Sequence, residues 1–146
     1  MKALVQRVLW ARVEVEGREI SSTGEGLLIL LGIADDDGEA EVEYLSGKAS
    51  SLRIFEDAEG KMNRSLAQTG GEAMVISQFT LLADTRKGNR PGFSDAADPA
   101  KAERLYELFV DCFRRRRIPV QTGIFGADMK VFLCNDGPVT IMLESR

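Results

Sequence analysis

The sequence predicts an α+β fold: a largely antiparallel, barrel-like β-sheet with two main helices, forming one domain over residues 1–146. Three observations predict it. Apolar and β-branched stretches of strand length outnumber stretches in which apolar residues recur every three or four positions. Hydrophobic residues make up 44% and charged residues 29% of the chain, which is the mix of a globular protein and not of a disordered one. A chain of 146 residues buries about 68–70% of the surface its unfolded form exposes, enough for a proper core. No internal repeat, low-complexity tract or linker divides it.

The elements follow in order. Arg12 to Glu16 alternate charged and apolar side chains up to Gly17-Arg18, the pattern of a half-buried strand entering a hairpin. Leu27 to Ile33 is apolar on both faces and suits a buried central strand. Asp35-Asp36-Asp37 offers caps for a first helix, with Val42, Leu45, Ala49 and Leu52 on its apolar face and an end near residue 53. After a polar turn at Glu56 to Gly60, Ala73 to Leu82 has the β-branched and aromatic content of a strand. A loop from Asp84 to Asp98 follows. Asp98-Pro99 supplies a cap and an N1 proline for the second helix, whose stripe is Leu105, Leu108, Phe109, Cys112 and Phe113. That spacing makes Cys112 a core residue. Val120 to Phe125, Lys130 to Cys134 and Val139 to Leu143 read as three strands separated by glycine-containing turns.

Composition excludes whole classes of chemistry. The chain has no histidine, so it cannot build a Ser-His-Asp triad, a Cys-His dyad, an HExxH zinc site or a histidine general base. Catalysis must come from carboxylates, lysine, hydroxyls, backbone N–H groups, a cofactor or the substrate. Cys112 and Cys134 are too few for a disulfide framework or a four-cysteine zinc site. The longest apolar run, Leu27 to Ala34, falls far short of the roughly 18 residues of a membrane helix, and Met1-Lys2-Ala3 opens without a signal-peptide core. A cytoplasmic protein with no membrane association is the expectation. A net charge of −4 argues against a broadly basic nucleic-acid binder. Positive charge is nevertheless concentrated at Arg114 to Arg117 and in the loop carrying Arg86, Lys87 and Arg90; the arginine run suits phosphate binding or a helix C-terminus equally.

Standard motifs are missing. Gly47-Lys48-Ala49-Ser50 lacks the upstream glycine of a P-loop, no GxGxxG opens a helix, and Asp35-Asp36-Asp37 lacks EF-hand spacing. No metal and no cofactor are expected. Two polar interruptions of apolar sequence remain: Ser77, Gln78 and Thr80 within Met74 to Leu82, and Asn135-Asp136-Gly137-Pro138 before an apolar terminal segment. On spacing alone, Asp136-Gly137 is a hairpin turn and Thr80 a strand residue.

These two segments, Ser77-Gln78-Phe79-Thr80-Leu81 and Asn135-Asp136-Gly137-Pro138-Val139-Thr140, closely resemble the signature motifs of the D-aminoacyl-tRNA deacylases, also called D-tyrosyl-tRNA deacylases. Similarity extends from Met1–Val8 through Lys87–Pro91 and Thr122–Met129 to Leu143-Glu144-Ser145. The resemblance implies a homodimer whose partner and substrate is D-aminoacyl-tRNA, and which hydrolyses the ester to release free tRNA. An aminoacyl ester is already activated and the neighbouring ribose hydroxyl can assist, which agrees with the absence of histidine. By the same resemblance, backbone N–H groups around Gln78, Phe79 and Thr80 stabilise the oxyanion, while the Ser77 and Gln78 side chains place the substrate. Thr80 is the nucleophile candidate for this type of site, but a threonine hydroxyl without a base is a weak nucleophile, which favours a positioning role over a nucleophilic one. Gly137-Pro138 is implied to be a cis peptide that reaches into the partner's pocket and rejects L-aminoacyl esters through its carbonyl oxygens, so that side-chain identity matters little and glycyl-tRNA is also cleaved. Arg7 would fix that peptide, and Phe125 and Met129 would lie near the terminal adenine. Plain structural roles compete: an exposed strand arginine for Arg7, and apolar packing for Phe79, Phe125 and Met129.

Two other classes of function remain open on composition: a noncatalytic RNA-binding module using the two arginine-rich segments, and a small-molecule-binding dimer without salt-dependent RNA affinity.

Overall fold

The computed structural model describes residues 1–145. Its first strand, β1 (Lys2–Val15), is the spine of the sheet. Antiparallel to it run β2 (Arg18–Thr23), β3 (Gly26–Gly32) and the last strand, whose range is given below. The β1–β2 hairpin turns at Glu16 and Gly17, both with positive φ (52° and 76°), the handedness that matches strand twist in a two-residue loop. Beyond β3 come helix α1 (Glu39–Ser51), a small hairpin of β4 (Phe55–Glu56) and β5 (Met62–Arg64), the single-turn helix α2 (Leu66–Thr69), β6 (Glu72–Ser77), a 3-10 turn at Phe79–Leu82, helix α3 (Pro99–Arg115), β7 (Val120–Thr122) and β8 (Lys130–Glu144). The α+β class and both main helices are as the sequence predicts, and α2 is an addition.

Among the described residues the main sheet runs β2-β1-β3-β6-β7, with β8 along the other side of β1. The pairs β3·β6 and β6·β7 are parallel, so the sheet is mixed. Their sequences are continuous apolar runs, Leu27–Leu31 and Ala73–Ile76, as strands covered on both faces require. The sheet curls until its outer strands meet: the Ser21 hydroxyl on β2 donates to the Thr122 carbonyl on β7 at 2.6 Å, nearly closing a barrel. Val8, Ala11, Val13, Leu28, Met74 and Ile76 fill the inside of the curl. The helices cover the opposite face, where Leu45 of α1 and Leu105, Phe109 and Phe113 of α3 pack on Val5, Ile29 and Val75. Each such fully buried side chain contributes about 1.5–3 kcal/mol.

Four local expectations are corrected. The acidic triplet does not cap α1: Gly38 is the cap residue, and the Glu41 carboxylate accepts from its N–H at 2.8 Å. Asp37 instead lies fully buried, accepting from the Met1 amino group and the Ala34 N–H, both at 2.7 Å, because a buried carboxylate needs a counter-charge. The strand expected over Ala73–Leu82 stops at Ser77, and the chain folds into the 3-10 turn packed on Gly32, where a side chain would collide with Leu81 and Leu82. The strand expected over Val120–Phe125 ends at Thr122. Finally, Asp136-Gly137 is not a hairpin. The chain keeps its direction through β8, pairing with β1 on both sides, Val8 with Asn135 and Gln6 with Thr140, and Asp136–Val139 bulges out opposite Arg7.

Candidate active site

The first polar interruption opens into a pocket. Where β6 ends, Ser77, Gln78 and Phe79 meet Phe125 and Met129 from the segment after β7, with Ala97, Pro99 and Ala102 as a floor at the start of α3. The cavity measures about 460 Å³, within the range of ligand sites. Small alanines near the helix start leave this room, and their role was not legible in the sequence. Thr80 stands just outside the lining, exposed, and its hydroxyl accepts a hydrogen bond from the Gln78 side-chain amide. Phe79 is 56% exposed and meets the Phe93 ring edge-on at 5.0 Å, so it is not a core residue. Tyr106 supports Phe125: the rings lie 5.9 Å apart, and the Tyr106 hydroxyl donates to the Val75 carbonyl at 2.6 Å. Burial pushes the Tyr106 phenol up to about 12.

The turn also spends one of the expected backbone donors. The Gln78 N–H is spent on the Leu31 carbonyl at 2.8 Å and the Leu81 N–H on the Gln78 carbonyl at 3.2 Å. The Phe79 and Thr80 N–H groups begin the 3-10 turn and make no hydrogen bond to the described chain. Of the expected donors, then, Gln78 is withdrawn and two adjacent ones remain. The only titratable side chain lining the cavity among the described residues is Asp128, which is ion-paired to Lys130 at 2.9 Å. No group of three or more His, Cys, Asp or Glu among the described residues is disposed to hold a metal ion.

The second interruption is built around Arg7 and Asn135. The Asn135 amide donates to the carbonyls of Arg7 and Val139, both at 3.0 Å, closing the bulge from inside. Its oxygen accepts from the Thr140 hydroxyl at 3.1 Å. Arg7 is 8% exposed, so it is not the surface strand arginine that spacing allowed. Its Nε reaches both the carbonyl and the carboxylate of Asp136 at 3.2 Å, and its Nη1 donates to the Ile54 carbonyl at 2.8 Å. The Gly137-Pro138 peptide is cis, and Gly137 has φ 119°. Both residues are exposed, and neither lines the pocket of Ser77, Gln78 and Phe79. Within one chain the two motifs are therefore not brought together.

The arginine run has a structural job. Arg115 and Arg116 reach Glu43 of α1 at 3.4 and 3.0 Å, and Arg114 pairs with Asp111 at 3.0 Å. The Cys112 thiol donates to the same Glu43 carboxylate at 3.4 Å, and this bond together with the two arginines holds the Glu43 carboxyl below its ordinary range. The cluster ties α1 to α3.

With this geometry in hand, kinship decides the identity. Residues 4–144 match the family described as D-Tyr-tRNA(Tyr) deacylase. The chain belongs to this family. It is 56% identical over 146 residues to the D-aminoacyl-tRNA deacylase of Anaeromyxobacter dehalogenans (strain 2CP-C), covering 100% of this chain and 98% of that protein. It is 59% identical over 145 residues to the D-aminoacyl-tRNA deacylase of Jannaschia sp. (strain CCS1), covering 99% of each. Among solved structures it resembles one titled c-Myc DNA Unwinding Element Binding Protein, with TM-score 0.94, 43% identity and coverage of 100% and 99% of the two chains. A probable eukaryotic D-amino acid tRNA deacylase shares the fold, with TM-score 0.83 at 17% identity and 97% coverage of both chains. None of the deacylase's helices among the described residues is long and apolar enough to cross a membrane.

Proposed function

We propose that this deacylase hydrolyses the ester between a D-amino acid and the terminal adenosine of tRNA, in the cytoplasm where charged tRNA is used. The observation that carries the reading is a pocket with two unspent backbone donors at its edge, Phe79 N–H and Thr80 N–H, and no free general base among its described lining residues. Such a site stabilises an oxyanion and leaves proton transfer to the substrate. Water attacks the ester carbonyl, the two N–H groups hold the developing oxyanion, and the carbonyl–ribose oxygen bond breaks. The proton lost by water returns to the departing ribose oxygen through the neighbouring ribose hydroxyl. Ser77 and Gln78 orient the ester, Phe125 and Met129 hold the adenine, and Thr80 positions Gln78.

The chiral filter is Gly137-Pro138 of a second copy. Three features support this: the bulge is exposed, it is held rigidly by Arg7 and Asn135, and it lies away from its own pocket. On β1 and β8, Trp10 and Phe132, 43% and 37% exposed with Arg12 over both rings, also leave an apolar patch that a second copy would cover. A wall of backbone carbonyls accepts the α-amino group and collides with an L side chain, so D-residues of any type pass, and so does glycine.

Matched single-turnover assays with D-tyrosyl-, L-tyrosyl- and glycyl-tRNA test the reading. Rapid loss of the D-tyrosyl and glycyl esters with survival of the L-tyrosyl ester is expected. Equal rates for D and L contradict the filter, and glycine as slow as L-tyrosine contradicts a purely steric one.

A further inference from the structure

We infer, resting on the deacylase reading, that the tip of the loop closed by Asp84 and Gly92 is the tRNA-backbone contact of this protein: Lys87 and Arg90 hold phosphates of the nucleotides that precede the terminal adenosine. Three observations converge on it. Asp84 and Gly92 exchange backbone hydrogen bonds at 2.8 and 2.9 Å, making the loop a pinned projection and not a free coil. Arg86 stiffens its base by gripping the Asp84 carboxylate with two bonds of 2.8 Å, which hold that carboxyl well below the usual carboxylate range. Lys87 and Arg90 are exposed and pair with no acid among the described residues. The charge that Arg86 spends on its own loop is thus left unspent at the tip.

Position links this tip to the pocket. Immediately after Gly92, Phe93 packs edge-on against Phe79 at the pocket mouth, and Ala96 and Ala97, three and four residues beyond Phe93, line the cavity. Four extended residues reach at most about 13 Å, so the tip stands one or two nucleotides from a base seated in the pocket. Acids outnumber cations in both clefts beside the pocket, Glu103, Glu107 and Asp111 with Arg114 on the far side of Phe125 and Asp35, Asp36, Asp84 and Asp95 with Arg86 at the loop base, so the unpaired cations of the tip are the loop's attraction for a polyanion. The rival basic segment commits three of its four arginines, Arg114 to Asp111 and Arg115 and Arg116 to Glu43, which leaves it Arg117 against the two cations of the loop tip.

The test compares a Lys87→Gln/Arg90→Gln variant with an Arg114→Gln/Arg117→Gln variant, each on D-tyrosyl-tRNA and on the D-tyrosyl ester of adenosine, which has no phosphate. The loop variant is expected to lower the preference for the tRNA ester, as a ratio of kcat/KM values, about tenfold at low salt. Its logarithmic salt dependence should flatten by about 1.4, as loss of two single-strand phosphate contacts requires. The helix-end variant should keep the wild-type ratio. A ratio within twofold of wild type with an unchanged salt slope for the loop variant overturns the inference, as does the loss appearing in the helix-end variant. Failure of the deacylase reading looks different, because wild type then cleaves neither ester; filter binding of uncharged tRNA against salt still decides whether the loop holds phosphate.

Discussion

Ser77–Thr80 and Asn135–Val139 both interrupt apolar strands with polar residues, yet the chain treats them in opposite ways. The first folds inward into a 3-10 turn, keeps two N–H groups unspent and finds its neighbours, Phe125, Met129 and the start of α3, within the same chain. The second bulges outward, spends its polar side chains on holding its own backbone, and leaves Gly137-Pro138 outside the pocket of Ser77, Gln78 and Phe79. A segment fixed so firmly and set apart from the Ser77–Phe79 pocket is what the proposed cross-subunit selector requires. The difference suits the proposed reading, in which the pocket of one chain is served by the bulge of a second copy.

The comparison breaks most readily at Gly137. A Cβ there would lie 2.9 Å from Val139 Cγ2 and 3.1 Å from Arg7 Nη2, on a backbone with φ 119° that L side chains rarely adopt. Gly137→Ala should move the bulge and lower D-aminoacyl ester hydrolysis by about 100-fold, the cost of roughly 1 Å of misplacement in a positioned site. Circular dichroism should report an intact fold. Arg7→Gln comes next. It removes the cation from Asp136 and the donor from the buried Ile54 carbonyl, and should cost about 1–3 kcal/mol of stability by thermal melting. Hydrolysis should fall less than for Gly137→Ala, because Asn135 still closes the bulge.

Thr80 sharpens the other half of the comparison. If the hydroxyl only receives the Gln78 amide, Thr80→Ala should stay within about tenfold of wild type, against the loss of about 10⁴ or more that removal of a true nucleophile brings. Replacing the ribose hydroxyl beside the ester with hydrogen should cost far more than the Thr80 change.

Much of this was legible in the sequence, for identifiable reasons. Strong local signals carried over: the Gly17 turn, the Asp98-Pro99 helix start, and the doubly apolar Leu27–Leu31 strand. Asp98 does cap α3, accepting from the Lys101 N–H at 3.1 Å. What failed depended on tertiary partners. Asp37 was drawn from capping to the Met1 amino group, and Gly137 from a hairpin to a bulge by Asn135, contacts that span tens of residues. The motif residues were visible, but their separation into two places was implied only by the family resemblance, because spacing along a chain does not reveal which side of a barrel each segment faces.

The smallest effect concerns Tyr106, which props Phe125 at the pocket. Its folded pKa is raised from 10.0 to about 12, so its contribution to stability is fully present below pH 10 and is lost as pH climbs towards 12. Tyr106→Phe should lower stability at neutral pH by about 1 kcal/mol through the lost bond to Val75. It should also flatten the fall in melting temperature between pH 10 and 12.

The division into pocket and selector is tested most directly by complementation between two defective chains. One carries Gly137→Ala, with a sound pocket and a damaged bulge; the other carries Ala102→Trp, which fills the pocket from α3 and leaves the bulge sound. Each alone should be nearly inactive on D-tyrosyl-tRNA. A purified mixed dimer, isolated through two different affinity tags, should recover about half of wild-type activity, because the sound bulge of one chain then faces the sound pocket of the other. A mixed dimer as inactive as its parents would contradict completion across subunits and require each chain to select for itself.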